Sequence, residues 1–260
     1  MPSRPSDEAI LAELAALARR DVPELLQFGS LGAAYQYRRL YRVWRRHVPA
    51  GAEVLDWGAG NGHFSYFLAR AGYRATGYSF LPFDYRRWLG DPGYRFVPGD
   101  EREPVTLPFA DASFDAVASV GVLEHVRETG GDEAGSLAEI ARVLRPGGIF
   151  VAYHFPNRDS WIDLAASRVP GKHHHLYRYT RADIEALVRG AGLELLETRR
   201  YGLLPRNTLH RLLGPLRDTR WTAEGWDRLD AVLGAIAAPI VQNHYFVARR
   251  TAAGRGPVRG

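Results

Sequence analysis

The sequence contains no cysteine among its 260 residues. Disulfide bonds, zinc sites built on thiolates and mechanisms with a cysteine nucleophile are therefore excluded. Long apolar runs are absent as well. The N-terminal stretch carries Asp7 and Glu8, where a secretory signal needs an uninterrupted apolar core, and the apolar run over residues 231–241 is broken by Gly234 and Pro239. We therefore expect a cytoplasmic protein with no transmembrane segment.

The net positive charge is concentrated at the C-terminus. The net charge of the chain is +5, and four of those charges come from arginines among the last twelve residues, which contain no acid, so residues 1–248 carry only +1. These arginines are Arg249, Arg250, Arg255 and Arg259. Because the rest of the chain shows no basic stripe, we interpret residues 251–260 as a basic, solvated tail and not as a nucleic-acid arm.

Apolar runs bounded by turn residues alternate with helical patterns through most of the chain. The predicted strands are Glu53–Trp57, Arg74–Ser79, Tyr94–Val97, Phe114–Val120, Ile149–Tyr153, Leu193–Arg199 and Asn243–Ala248. The predicted helices between them are His63–Ala71, Phe83–Leu89, Glu133–Leu144, Arg181–Ala191 and Trp221–Ala237. The Arg145-Pro146-Gly147-Gly148 stretch should end one helix and turn the chain into the next strand. This order predicts an α/β fold with a mostly parallel sheet, helices on both faces and a ligand across the carboxyl ends of the strands.

Two helices, Ser6–Arg20 and Leu31–His47, are predicted before the first strand. We therefore expect an N-terminal helical cap over residues 1–48 and an α/β domain over residues 49–250, with substrate-covering insertions at about 154–180 and 202–239. The second helix interleaves four aromatic residues with five arginines: Tyr35, Tyr37, Tyr41 and Trp44 with Arg38, Arg39, Arg42, Arg45 and Arg46. That pattern suits an amphipathic helix with a buried aromatic face, and it also leaves contacts to phosphate or RNA open.

A glycine-rich loop follows the first predicted strand, and it lacks the features of the common phosphate loops. A dinucleotide-binding loop would place its third glycine at position 63, where His63 stands, and the G-K-S/T of a P-loop is absent. The loop opens on an acid, which would repel a pyrophosphate and attract a cationic ligand. It reads Asp56-Trp57-Gly58-Ala59-Gly60-Asn61-Gly62.

A series of stretches in order resembles the motifs of the class I S-adenosylmethionine-dependent methyltransferases, over about residues 50–200, and most strongly those of the type-11-like branch. They are the loop at 56–62, Phe96-Val97-Pro98-Gly99-Asp100-Glu101, the stretches 107–115 and 120–126, and Val143-Leu144-Arg145-Pro146-Gly147-Gly148. The resemblance implies a Rossmann-like, seven-stranded sheet whose last strand is antiparallel, and S-adenosylmethionine as cofactor. The cofactor residues that it implies are Asp56, Gly58, Gly60, Asn61, Gly62, Ser79, Asp100, Glu101 and Val120.

The end of the second strand departs from the family pattern. The family normally has an acid there that binds both ribose hydroxyls, and Ser79 stands at that position. A serine offers one hydroxyl where a carboxylate offers two acceptor oxygens, so we expect a weaker, uncharged contact. Asp84, one turn later, is the alternative ribose ligand.

Two histidines follow strand ends on the cofactor side, namely His125 and His154, and both are candidates for a base that deprotonates an acceptor hydroxyl. Three adjacent residues cannot all face one point, so we expect no metal site built from His173-His174-His175 alone. The candidate substrate residues are His174, Tyr177, Arg178, Tyr179 and Arg206.

Nucleic-acid acceptors are disfavoured. The Asp/Asn-Pro-Pro-Tyr/Phe loop of amino-group methylation is replaced by Ser119-Val120-Gly121-Val122, and covalent pyrimidine methylation needs a cysteine. We therefore expect O-methylation of a small-molecule, sugar or lipid-linked biosynthetic intermediate. Two alternatives stay open: an RNA methyltransferase that uses the arginine and tyrosine pattern, and a catalytically silent binding protein with this fold, suggested by the missing acid.

Overall fold

The computed structural model describes residues 4–20, 22, 24–80, 94–205 and 214–251, with residues 214 and 215 described by their backbone only. Seven strands form one sheet in the order β3-β2-β1-β4-β5-β7-β6. Their bounds are β1 Glu53–Trp57, β2 Arg74–Ser79, β3 Arg95–Pro98, β4 Phe114–Val120, β5 Leu144–Pro156, β6 Leu193–Tyr201 and β7 Asn243–Arg250.

Eight α-helices lie within the described residues. They are α1 Asp7–Arg20, α2 Leu31–Ala34, α3 Arg38–His47, α4 His63–Arg70, α5 Glu133–Val143, α6 Trp161–Ala166, α7 Arg181–Gly190 and α8 Arg220–Ile236. The predicted helix Phe83–Leu89 lies outside the described residues. In the described part of the chain, no helix is both long enough and apolar enough to cross a bilayer.

The predicted sheet topology is confirmed. The pairs β2–β3, β1–β2, β1–β4 and β4–β5 are parallel, and only β7 runs antiparallel, to both β5 and β6. Asp56 pairs with Gly77 of β2 and with Ala118 of β4, so the carboxyl ends of these strands meet at one edge of the sheet. A ligand site is expected at this edge, on either side of β1, because the strand order reverses there.

Helices cover both faces of the sheet, as predicted. On one face, α1, α3 and α4 pack on alternate strand residues such as Val54, and on the other face α5 and α7 pack on their neighbours, such as Leu55. This alternation follows from the pleat, which turns successive side chains to opposite faces. Tyr41 stacks on Phe67 at 3.8 Å between ring centroids, so the N-terminal helices share one apolar core with the sheet.

The aromatic residues of the N-terminal helices are unavailable to a nucleic acid. Tyr35, Tyr37, Tyr41 and Trp44 are all buried. Several of the arginines between them pair with acids of the same chain: Arg38 with Glu8, Arg45 with Asp7, and Arg46 with Glu197. The amphipathic interpretation of this segment is confirmed, since the aromatic rings that the RNA hypothesis requires are buried while Arg42, Arg45 and Arg46 are exposed.

Two differences from the predicted boundaries are larger than the rest. The predicted helix Leu31–His47 is interrupted by a 3₁₀ turn at Tyr35–Tyr37, which rotates both tyrosines into the core. The fifth strand begins at Leu144 instead of Ile149, because Leu144 already pairs with Phe114 before the chain bulges and pairing resumes at Ile149. Within that bulge Gly147 has φ +81°, as its position in the turn predicted.

Candidate active site

The glycine loop leaves β1 and bends over the end of β2. The backbone N–H groups of Gly58 and Ala59 donate to the Tyr78 carbonyl at 2.8 and 2.9 Å. Gly58 has φ +74°, and a Cβ at this position would lie 2.4 Å from Val122 Cγ2. Only glycine combines a favourable positive φ with the lack of a Cβ, so the loop fits closely between the ends of β2 and β4.

Asp56 lies at the base of the loop and is almost completely buried, with 1% of its surface exposed. Burial raises the pKa of its carboxyl to about 6, although hydrogen bonds from Ser65 oppose the shift. The Ser65 hydroxyl donates to Asp56 Oδ2 at 2.6 Å. A cationic ligand at this edge would draw the carboxyl into its ionised form.

Other predicted cofactor residues lie along the same edge. Ser79 ends β2, is buried, and accepts a hydrogen bond from the Gly99 N–H through its carbonyl at 2.9 Å. Asp100 and Glu101 follow β3 and are exposed, and Val120 ends β4. The four strands that these residues belong to or follow are adjacent, so the residues lie along one edge of the sheet. Asp84, the alternative to Ser79, lies outside the described residues.

The side chain of Asn61 faces the N-terminal segment. Its amide donates to the Glu24 carbonyl and to Gln27 Oε1, both at 3.1 Å, and its Oδ1 contacts His63 Nδ1 at 2.8 Å. Sequence reasoning missed Gln27 because only the folded chain brings it to the loop. The Asn61 side chain therefore joins the glycine loop to the N-terminal segment.

His63 occupies the position that a third glycine would take in a dinucleotide loop. Its ring lies 5.4 Å from the Phe28 ring and 4.6 Å from the Tyr37 ring. Burial, together with the nearby His154, lowers the pKa of His63 to about 3. His63 is therefore a neutral, buried imidazole that joins the loop to the N-terminal segment.

His154 lies near the end of β5 with an unusual backbone, since its φ is +67°. Its backbone N–H donates to the Tyr201 hydroxyl at 2.9 Å, and its Nδ1 lies 3.1 Å from the same oxygen. The His154 and Tyr37 rings are nearly perpendicular, with their centroids 5.4 Å apart. A residue with a side chain keeps such a backbone only where its surroundings hold it, and the two contacts with Tyr201 do so here.

A cavity of about 390 Å³ opens beside His154, and we call it the His154 cavity. Both predicted insertions and the N-terminal helices contribute to its wall. The lining residues include Gln36, Arg39, Tyr153, His154, Trp161, Ile162, Ala165, Val169, Lys172, Tyr201, Leu204, Asp227, Asp230 and Gln242. The Trp161 indole donates to the Leu203 carbonyl at 2.8 Å, so the two insertions are joined over the cavity. Helix α6, which carries Trp161, was not predicted because it is only six residues long.

His125 lies in a second group of polar residues, close to the end of β4. Its Nδ1 lies 2.9 Å from Glu128 Oε1, and its ring lies 5.7 Å from that of His175. The neighbouring Glu124 is 4% exposed, and burial raises the pKa of its carboxyl to about 8.

His175 is fixed by an acid of α6. Asp163 Oδ1 lies 2.9 Å from both the backbone nitrogen and the Nδ1 of His175. Burial opposes ionisation of Asp163, but the hydrogen bonds from His175 and Ser160 lower its pKa to about 2. The predicted His173-His174-His175 stretch is therefore divided, because only His175 is attached to α6 in this way, while His174 contacts the Lys172 carbonyl.

The predicted substrate residues do not all reach one place. The Tyr177 ring lies under the Arg127 guanidinium at 4.8 Å, and Tyr179 is buried with its hydroxyl bonded to Glu133 Oε1. Neither residue lines the His154 cavity, and His174 and Arg178 do not line it either. Arg206 lies outside the described residues.

Comparison with known proteins identifies the family. Residues 55–152 match the family model described as "Methyltransferase domain". The chain is 31% identical over 197 residues to a Mycolicibacterium smegmatis protein named "Probable S-adenosylmethionine-dependent methyltransferase", covering 74% of this chain and 70% of that relative. It is 36% identical over 124 residues to the demethylmenaquinone methyltransferase of Tropheryma whipplei, a match that spans 43% of this chain and about half (48%) of the relative.

A solved structure shares the fold. The Burkholderia thailandensis 1,6-didemethyltoxoflavin-N1-methyltransferase, crystallised with 1,6-didemethyltoxoflavin and S-adenosylhomocysteine, is 21% identical with a TM-score of 0.52, covering 96% of this chain and 92% of that one. Together with the glycine loop, the buried Asp56 and the sheet order, these matches lead to one conclusion: the chain belongs to the S-adenosylmethionine-dependent methyltransferases.

Proposed function

We propose that this methyltransferase transfers a methyl group to a hydroxyl oxygen of a small biosynthetic acceptor bound in the His154 cavity. The observation that carries the proposal is the position of this cavity. It opens beside His154, which lies near the end of β5. A single strand, β4, separates β5 from β1, and the glycine loop follows β1. Its volume of about 390 Å³ lies within the range of small-molecule sites.

The residues at the loop fit S-adenosylmethionine. The buried carboxyl of Asp56 suits a cationic ligand, and we assign Ser79, at the end of β2, to the ribose and Asp100, after β3, to the adenine. When bound, this cofactor supplies the methyl group as a sulfonium. The protein then has to place the acceptor oxygen in line with that methyl and accept its proton.

The wall of the cavity suits an acceptor that has both apolar and polar parts. Trp161, Ile162 and Ala165 of α6 supply apolar surface, while Arg39 and Asp227 supply charged groups. This mixture supports a ring compound, a sugar or a lipid-linked intermediate with a polar substituent. The Tropheryma whipplei relative, which is named for demethylmenaquinone, supports a ring acceptor.

We assign removal of the acceptor proton to His154, because it lines the cavity and His125 does not. When Nδ1 carries the ring proton and donates it to the Tyr201 oxygen, Nε2 keeps a lone pair that can accept the proton of a hydroxyl. Tyr201 also receives the backbone N–H of His154, so it fixes both the ring and the main chain at this position.

An acceptor screen tests the proposal. The full chain would be incubated with S-adenosylmethionine carrying a ¹³C-labelled methyl group and with panels of phenols, hydroquinones, sugars and prenylated alcohols. We expect the label on an oxygen of the product, identified by NMR. Methyl attached only to carbon or nitrogen, with no oxygen-linked product in any panel, would contradict the proposal.

A matched pair of variants tests the role of His154. With the acceptor in hand, His154→Gln should lower kcat by about 10²- to 10⁴-fold and leave the affinity for S-adenosylmethionine unchanged. The control is His47→Gln, because His47 lies on α3, pairs with Glu197 and does not line the cavity. Full activity in His154→Gln would show that His154 is not the base.

A further inference from the structure

Glu124, His125 and His175 converge outside the His154 cavity. One donor atom from each lies within 4.8 Å of the donor atoms of the other two. Glu124 and His125 lie in the 3₁₀ helix after β4, and His175 lies fifty residues later in the first insertion. We propose that these three residues form a binding site for a divalent transition-metal ion of the zinc type.

The hydrogen bonds of both histidines leave Nε2 as the nitrogen for a metal ion. A carboxylate at neutral pH only accepts hydrogen bonds, so the Nδ1 of His125 donates to Glu128, and the Nδ1 of His175 donates to Asp163, each at 2.9 Å. The lone pair of each neutral ring is therefore on Nε2. A carboxylate that orients a metal-binding histidine in this way is the usual outer partner of a zinc site.

Glu124 supplies the third ligand. Its side chain is buried, and Oε1 lies 3.9 Å from His125 Nε2. Within the described part of the chain, no lysine or arginine nitrogen lies within 4.0 Å of this carboxylate. Ionising a buried carboxyl that has no cationic partner is costly, and a bound metal ion would supply the compensating charge.

The dimensions allow coordination after small side-chain movements. Two ligands on one tetrahedral zinc ion lie about 3.3 Å apart, given metal–ligand distances of about 2.0–2.2 Å. The widest donor pair, at no more than 4.8 Å, therefore has to close by at most about 1.5 Å. His125 is about one third exposed and has room to turn. Two nitrogens and one oxygen leave a fourth position open for water or an anionic group.

The site would join the 3₁₀ helix after β4 to the first insertion, which are far apart in the sequence. His175 lies between α6, whose Asp163 orients it, and Tyr179, which returns the chain to the end of β5 through the Asn157 bridge. A metal ion at this position fastens the first insertion, and with it one wall of the His154 cavity, to the end of β4. The inference concerns metal binding alone and does not depend on the identity of the acceptor.

The test is a titration of the full chain, freed of any affinity tag and stripped of metal, with Zn²⁺ by calorimetry. We expect one Zn²⁺ per chain. Glu124→Gln and His175→Ala should each weaken binding by at least about 100-fold, and Asp163→Asn by about 10- to 100-fold, since outer partners typically contribute that much. His174→Ala is the matched control, because its side chain contacts only the Lys172 carbonyl among the bonds given above, and its affinity should equal that of the unmodified chain.

Co²⁺ provides a second measurement that does not depend on every variant folding equally well. Its visible absorption in the unmodified chain should show a low-symmetry site with nitrogen and oxygen ligands, and His125→Ala should change that spectrum while circular dichroism confirms the fold. The proposal is overturned if the unmodified chain binds no Zn²⁺ at one equivalent. It is equally overturned if Glu124→Gln and His175→Ala bind as tightly as the unmodified chain, or if His174→Ala weakens binding as much as they do.

Discussion

Replacing His63 by phenylalanine should make the protein less sensitive to acid. Burial and the nearby His154 lower the pKa of His63 from 6.5 to about 3. Between these two pH values the unfolded chain binds a proton at this residue and the folded chain does not, so the stability of the unmodified protein falls as pH falls through this window. The slope is about 1.4 kcal/mol per pH unit.

The magnitude follows from the two pKa values. Between pH 7.5 and pH 4.5, His63 should reduce the free energy of unfolding by about 2.5–3 kcal/mol. His244, whose pKa burial lowers to about 4, acts in the same direction, and Asp56, whose pKa burial raises to about 6, acts in the opposite one. Both residues are present in the variant as well, so their contributions cancel in the difference between the two proteins.

The assay is urea unfolding followed by tryptophan fluorescence at both pH values, which reports on the buried Trp44 and Trp57. Phenylalanine keeps the ring contacts with Phe28 and Tyr37. It loses the contact with Asn61, which changes the free energy of unfolding equally at the two pH values. His63→Gln repeats the test with a polar, uncharged side chain. If all three proteins lose the same stability between pH 7.5 and 4.5, the assignment of His63 as a buried neutral imidazole is refuted.

Three further predictions concern residues assigned to cofactor binding. Because the pKa of Asp56 is about 6, affinity for S-adenosylmethionine should fall about tenfold between pH 7.5 and pH 5, and calorimetry should show no such fall in Asp56→Asn. Gly58→Ala should both destabilise the chain and weaken cofactor binding. The control Gly147→Ala has a similar φ but nothing within 4 Å of the added carbon, so its free energy of unfolding in urea should fall by only about 1–2 kcal/mol. Equal effects of the two substitutions would contradict the close approach of Gly58 to Val122. Ser79→Asp should tighten cofactor binding about fivefold, since hydrogen bonds to a charged group are stronger by about 1 kcal/mol, and unchanged affinity would show that Ser79 is not at the ribose.

Local patterns predicted the sheet well. The bounds of β1, β2 and β4 were predicted to the residue, because short apolar runs end at the glycines and turns that close these strands. The third strand shifted by one residue, to Arg95–Pro98, because it lies at the edge of the sheet and pairs only with β2.

Contacts between distant segments could not be predicted from local patterns. Asn61 contacts Gln27, and His175 approaches Glu124, only because folding brings together residues that are far apart in the chain. Three adjacent histidines do not reveal by themselves that one of them, His175, meets Glu124 and His125 from fifty residues away. His154 was predicted from its place after a strand, but its support by Tyr201 depends on β6, which follows some forty residues later.

The packing of the N-terminal helices has a consequence for synthesis of the protein on the ribosome. Arg46 pairs with Glu197, the Tyr153 hydroxyl donates to the Gln36 carbonyl, and Trp44 shares a core with Val247 of the last strand. These helices leave the ribosome long before β7 and therefore have to wait for it with their aromatic faces uncovered. A nascent chain that stalls before β7 would expose these rings, which makes it a substrate for chaperones and a source of aggregates.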